Sequence, residues 1–301
     1  MKTRNFLYLL LGGIVLMGGL GLGGLPFHRI DEVKTYPVDQ MDDIQVILST
    51  YPIHVLQTTE GSDIKFHLSG RSMQPVKLAA ALNGKTLLVE KSQPNKFDLP
   101  NDLVLEIFIP ENYQKNLSID ITTGKAKIDS LHLASFSLHT TTGGMEAGGL
   151  MAEKINLVTS TGNIKINQLQ TRDLEIFGTT GNISVDDCAL DTAKIETTTG
   201  DVILRDASGN FNIGTTTGKV ILDSTEIENR TVAIGTSTGS ISVQLPRTAE
   251  FSFEAKSSTG RLKSDFPFTT NEKKRMAGQI GSGSSTLDLH SSTGSITISK
   301  K

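Results

Sequence analysis

The sequence predicts an all-β chain: a parallel β-solenoid, β-helix-like, of about 19–21-residue rungs, preceded by one N-terminal transmembrane helix. Three observations carry this expectation. Thr-Gly pairs recur at a nearly fixed interval, apolar residues flank each pair at spacings of two, and residues 6–25 carry no charge.

The pairs end at Gly124, Gly143, Gly162, Gly181, Gly200, Gly218, Gly239, Gly260 and Gly294. The first four intervals are all 19 residues, the next three are 18, 21 and 21, and the last is 34. A period of this size signals stacked repeats. Five residues before each glycine stand Ile119, Leu138, Leu157, Ile176, Ile195, Ile213, Ile234, Ala255 and Leu289. Two and four after it, further apolar residues recur, as with Val202 and Leu204 after Gly200. Spacings of two describe strands with one buried face, whereas a helix needs three and four. Stacked at ~4.8 Å, the marked rungs would form a rod about 40 Å long. No single rung would stand alone, because its backbone entropy outweighs its own apolar burial.

At the N-terminus, "FLYLLLGGIVLMGGLGLGGL" spans residues 6–25. As a helix it would be about 30 Å long, enough to cross a bilayer core. Lys2 and Arg4 precede it, which places the start of the chain in the cytoplasm and the rest outside. A cleaved signal peptide, and hence secretion, is the alternative. Residues 1–26 therefore form a cytoplasmic tip and anchor, and residues 27–40 a linker.

Residues 41–116 lack the marker but alternate like strands. "QVILSTYPIHVLQ" (45–57) resembles "KIETTTGDVILRD", with Tyr51 near the glycine position. These are expected as irregular opening rungs that cap an otherwise open edge, with a separate small sandwich as the alternative. The solenoid proper spans 117–301. An excursion at about 266–286 is expected to leave the rod as a hairpin or loop. Its Lys273, Lys274 and Arg275 read as a solvated tip or as a contact for an anionic partner.

Composition narrows the function. The net charge of −3 offers no basic surplus for nucleic acid. Aromatic residues are 5% and Trp is absent, so the core should be aliphatic. Cys188 is the only cysteine, which excludes an internal disulfide.

The search for chemistry returns mainly structure. The Thr-Thr-Gly turn lacks the Gly-Lys-Ser/Thr ending and helix of a phosphate loop. The six histidines are His28, His54, His67, His132, His139 and His290, and none shares a metal-ligand spacing. His54, His132 and His290 should face solvent. Asp187, Asp206 and Asp223 follow their glycines by six, six and five residues and could stack on one edge. They read as turn formers before they read as a cation site. Thr-x-Thr pairs such as Thr197 and Thr199 should tie rung to rung. Cys188, in the column of Leu131, Leu150 and Leu169, reads as a core residue. No catalytic, cofactor-binding or metal-binding residue is expected, and no cofactor.

The anchor, the β-rich stretch and the serial Thr-Thr-Gly rungs together resemble a bacterial putative-adhesin family of unknown function that includes LiaG-like proteins. The closing "GQIGSGSSTLDLHSSTGSITISK" (278–300) is similar to that family's end. The resemblance covers about residues 30–301 and implies an envelope-stress setting without catalytic residues. The expected function is a non-catalytic, single-pass, extracytoplasmic interaction surface. Its partners would be the membrane, through the helix, and an envelope protein or glycan. The alternative is a carbohydrate-active or polysaccharide-binding β-helix.

Overall fold

The computed structural model describes residues 27–92, 102–272 and 274–301. The expected anchor at 6–25 lies outside the described residues. Among those described, no helix is long and apolar enough to cross a membrane. Their one helical element is the three-residue 3-10 turn Val38–Gln40.

The regular rungs form as the spacing predicts. Ala126–Thr142, Met145–Thr161 and Ile183–Thr199 each run 17 residues as extended chain. Burial alternates along them but shifts phase twice. In the first, the buried residues are Ala126 and Ile128, then Leu131 and Leu133, then Phe136, Leu138 and Thr140. A step of three in a period-two pattern turns the opposite face inward, so each such step is a corner. Each of these three coils therefore has three straight stretches, and the Thr-Gly turn is the third corner.

Rungs stack in parallel and in register. Leu138, Leu157, Ile176, Ile195, Ile213, Ile234 and Leu289 form one continuous column. All seven are buried at 2% exposure or less, so their ladder is dry. A second column tapers through Leu131, Leu150, Leu169, Cys188, Ala207 and Ser224. The middle of the core is mostly aliphatic, as expected. Aromatic rings close the ends: Tyr36 against Phe66 at one, and Phe251 against Phe253 and Phe266 at the other.

Rung order departs from chain order at both ends. Thr231–Thr238 pairs with Ser285–Thr293, which pairs on its other edge with Phe251–Ser257. Around the corner, Ile241–Leu245 pairs with Ile296–Lys300, which pairs with Leu262–Ser264. The Gly294 rung thus sits between those of Gly239 and Gly260, and the serial stacking expected for the last three markers is corrected. Similar markers let any rung stack on any other. Here the chain runs outward, turns back and fills the gap it left, which covers both edges of the inserted rung.

The opening segment is built likewise. Asp43–Leu48 lies between Asn116–Thr123 and Thr86–Ser92, and Ile53–Thr58 lies between Ala126–Ile128 and Val104–Pro110. Tyr51 does occupy the glycine column: its carbonyl oxygen is 2.5 Å from where a Cβ on Gly124 would sit. The described residues of 41–116 share one hydrophobic core with the rest and do not form a separate sandwich. Residues 27–40, expected as a linker, instead contain strand His28–Pro37, antiparallel to Asp63–Ser72. Burial of Ile30 and acceptance of the Leu78 N–H by Glu32 at 2.9 Å hold this strand down.

The excursion does not leave the rod. Thr270–Glu272 and Arg275–Ile280 pair antiparallel, and the second strand continues antiparallel along Phe251–Ser257. Met276 is buried there, and Arg275 is ion-paired with Glu254. Antiparallel strands therefore cap the parallel stack at both ends.

Candidate interaction surfaces

Side chains at the Thr-Gly corner maintain the repeat. Most of the glycines have φ between +144° and +158°, as with +149° at Gly200. Their column also leaves no space, since a Cβ on Gly200 would lie 2.0 Å from the Gly181 carbonyl oxygen. In several rungs the inward hydroxyl three residues before the glycine bonds to the neighbouring rung, although Thr140 and Thr197 make no such bond. Thr159 Oγ1 donates to the Gly143 carbonyl at 3.3 Å, Ser291 Oγ to that of Gly239 at 3.0 Å, and Ser257 Oγ to that of Gly294 at 2.8 Å. The last two threonines before the glycine point outward. A further ladder escaped the sequence reading. Asn163 Oδ1 accepts the Asn182 N–H at 2.8 Å, Asn182 Oδ1 that of Asp201 at 2.9 Å, and Asp201 Oδ1 that of Lys219 at 2.8 Å. Its signal is the run of Asn, Asn and Asp directly after successive glycines.

The candidate charged clusters separate. Asp187 and Asp206 adopt φ of 51° and 47° at the first corner, the geometry of turn residues. Asp206 and Asp223 do share a cation, the Lys301 ammonium, at 3.0 and 2.6 Å. Hydrogen bonds to Asp223 and then Asp206 raise the Lys301 ammonium above its ordinary value. Among the described residues no group of three His, Cys, Asp or Glu is arranged to hold a metal. His54 is bonded to Asp129 at 3.0 Å, while His132 and His290 are exposed. His67 lies between Asp31 and Glu106, at 2.9 and 3.0 Å. Cys188 is buried, and burial with the Asp187 charge pushes its thiol up to about 12. Of the basic run, Lys273 lies outside the described residues. Arg275 is paired as above, and the Lys274 ammonium donates to the Ser258 carbonyl.

Two of the depressions on the described outer surface follow the stacked rungs. The first is about 530 Å³ and lies on the long face beside the Thr-Gly corner. Its floor is Gly214 and Gly235, stacked in adjacent rungs. Phe177 and Glu196 precede them in the same column and His290 follows. Lys194 lies 3.2 Å from Glu196 and 5.1 Å from the Phe177 ring centroid, just outside the depression. Thr198, Thr216, Ser237 and Ser292 line the corner side. The second depression runs down the short middle face as adjoining hollows of about 470 and 440 Å³. Both are lined by His132, Met151, Gln170 and Ala189, with Glu153, Arg172 and Asp191 along one side.

This architecture has a family. The model of the Toastrack DUF4097 family matches residues 41–299. The chain belongs to that family. Several solved structures are similar to this chain over most of their length. A putative lipid binding protein from Parabacteroides distasonis is 15% identical, with 90% of this chain and 96% of that one covered and a TM-score of 0.50. A putative adhesin from Bacteroides fragilis is 15% identical over 90% and 97%, with a TM-score of 0.46. Another from Parabacteroides merdae is 13% identical over 90% and 96%, also at 0.46. No curated protein matches.

Proposed function

We propose that this Toastrack chain is a non-catalytic, adhesin-like display surface of the cell envelope. Residues 6–25 hold it in the membrane with the solenoid outside. One observation carries the reading: the repeated residues are committed to the stack, while the outward faces remain continuous and solvated. Gly200 and its column pack rung against rung, and the Asn ladder and inward hydroxyls such as that of Thr159 bond across rungs. A rigid rod of this kind presents side chains at fixed ~4.8 Å steps, which suits recognition of an extended partner. Apolar residues 6–25 behind Lys2 and Arg4 supply the topology. The charge order Glu153, Arg172, Asp191 in the middle groove suits binding better than the paired carboxylates of glycoside hydrolysis.

The test is protease shaving of intact cells that express the full chain with a tag after Lys301. The expected result is a membrane-fraction protein whose tag is removed from outside. A tag protected in intact cells, or a protein recovered entirely in the cytosol, refutes the reading. Recovery in the medium would replace the anchor with a cleaved signal.

A further inference from the structure

Gly214 and Gly235 are unlike the glycines of the Thr-Gly corner column. Neither has a left-handed φ. A Cβ on Gly235 would meet nothing within 4 Å, and one on Gly214 only Glu196 Cγ at 3.9 Å. Neither the turn geometry nor the packing calls for glycine at these positions. A glycine inside a strand costs about 0.5–1 kcal/mol relative to alanine and often marks the close approach of a ligand or another backbone. Elsewhere their outward column carries Asp120, His139, Val158, Phe177, Glu196, His290 and Lys256. Two adjacent rungs have thus lost their side chains in the middle of a ridge, and the 530 Å³ depression is the result.

The surroundings select the occupant. The backbone at Gly214 and Gly235 belongs to a parallel ladder with neighbours on both sides. A peptide therefore has no free strand edge to pair with. None of the exposed large apolar residues, Phe27, Val33, Ile47, Met151 and Phe268, lines the shelf, so an acyl chain has little to cover. What remains is a row of four hydroxyls, a carboxylate beside an ammonium, an imidazole and one aromatic wall. Dense small donors and acceptors over a flat floor suit a polyhydroxylated ring. The volume lies within the roughly 300–1,000 Å³ of small-ligand sites.

We infer that the Gly214–Gly235 shelf is a subsite for one or two sugar rings of a neutral glycan chain. This rests on the display reading above and names its ligand class. Glu196 and His290 hydrogen-bond ring hydroxyls from the two ends, the hydroxyl row follows one side of the ring, and Phe177 closes the end.

The experiment applies purified full-length protein in detergent to an array of neutral, acidic and amino-sugar oligosaccharides. Wild type is compared with Gly235→Tyr, Glu196→Gln and, in the other groove, Ala189→Tyr. The expected result is retention of neutral glycans, weakened at least tenfold by Gly235→Tyr and several-fold by Glu196→Gln. Ala189→Tyr leaves it unchanged, and melting temperatures stay close to wild type. Gly214→Gln repeats the test if Gly235→Tyr proves unstable. The inference is overturned if no glycan is retained, if only charged glycans are, or if binding survives filling of the shelf. Any of these would leave the display reading intact when shaving still places the rod outside. A tag protected from the protease would remove that reading without touching the array result.

Discussion

The carbonyl oxygen of Gly181 lies 2.0 Å from the point a Cβ on Gly200 would occupy. The same relationship recurs from Gly143 to Gly239 at 1.8–2.0 Å. The glycine column is therefore required twice, by φ and by the approach of neighbouring backbones. Gly200→Ala should destabilise the rod by on the order of 3 kcal/mol or more, from strain plus overpacking. Gly235→Ala, with open space and ordinary φ, should be neutral or slightly stabilising. Equal denaturation midpoints for the two variants would show that the column tolerates side chains.

Ser257 closes the last Thr-Gly corner in both directions. Its Oγ donates to the Gly294 carbonyl at 2.8 Å and accepts the Gly260 N–H at 2.9 Å. Ser257→Ala removes both bonds in a site only 1% exposed. The expected cost is about 1–3 kcal/mol, concentrated at the end of the rod. Hydrogen exchange should speed up in 251–264 before it does in 195–217. Uniform acceleration along the rod would contradict local capping.

The capping hairpin should respond to acid. Hydrogen bonds from Lys256 and then Arg275 hold the Glu254 carboxyl below the usual glutamate range. A depressed folded-state pKa contributes stability that is present above the ordinary glutamate value. That contribution is lost as pH falls through the lower folded value. The pair is largely solvated, so the effect should be local and screened by salt. Exchange at 275–280, corrected for intrinsic rate, should lose protection between about pH 5 and pH 3. In Glu254→Gln it should be weakened already at pH 6 and change little on acidification. An unaltered pH response in that variant would assign the effect elsewhere.

How far the sequence could be read follows from where its information lies. Ile195, Val202 and Leu204 announce their burial because period-two spacing is local. Cys188 could be placed in the core by alignment with Leu169 alone, a pairing the structure contains. Parity with the apolar positions predicted the inward turn of the first Thr column but not the course of the second: Thr197 is buried without bonding the next rung, and Thr199 faces outward because the corner breaks the alternation. Rung order was not. The interval from Gly260 to Gly294 says that chain is inserted, but similar markers give no preference for which rung stacks on which. The strand at 28–37 was hidden because it alternates weakly, with Ile30 and Glu32 its only inward residues at 9% exposure or less. The depression over Gly214 and Gly235 was invisible because a glycine in a strand reads the same whether the backbone requires it or not. Only the space around Gly235 separates the two.

The tapering column makes the last prediction. Leu131, Leu150 and Leu169 are followed in register by Cys188, Ala207 and Ser224, so the interior narrows toward the Gly218 rung. Cys188 is 1% exposed, and its thiol is pushed up to about 12 by burial and by Asp187. Very little thiolate exists at neutral pH, and reagent cannot reach it without local opening. Modification by a thiol reagent at pH 8 should therefore be slow in native protein and fast in denaturant. Cys188→Ala should cost about 1 kcal/mol, whereas Cys188→Leu should cost about 1–3 kcal/mol through overpacking against Ala207. A double variant, Cys188→Leu with Leu169→Cys, restores the total volume but reverses the taper. It should remain less stable than wild type if shape as well as volume sets the column. Full recovery of the unfolding midpoint would show that the rungs exchange these side chains freely, and that the taper is incidental to the packing.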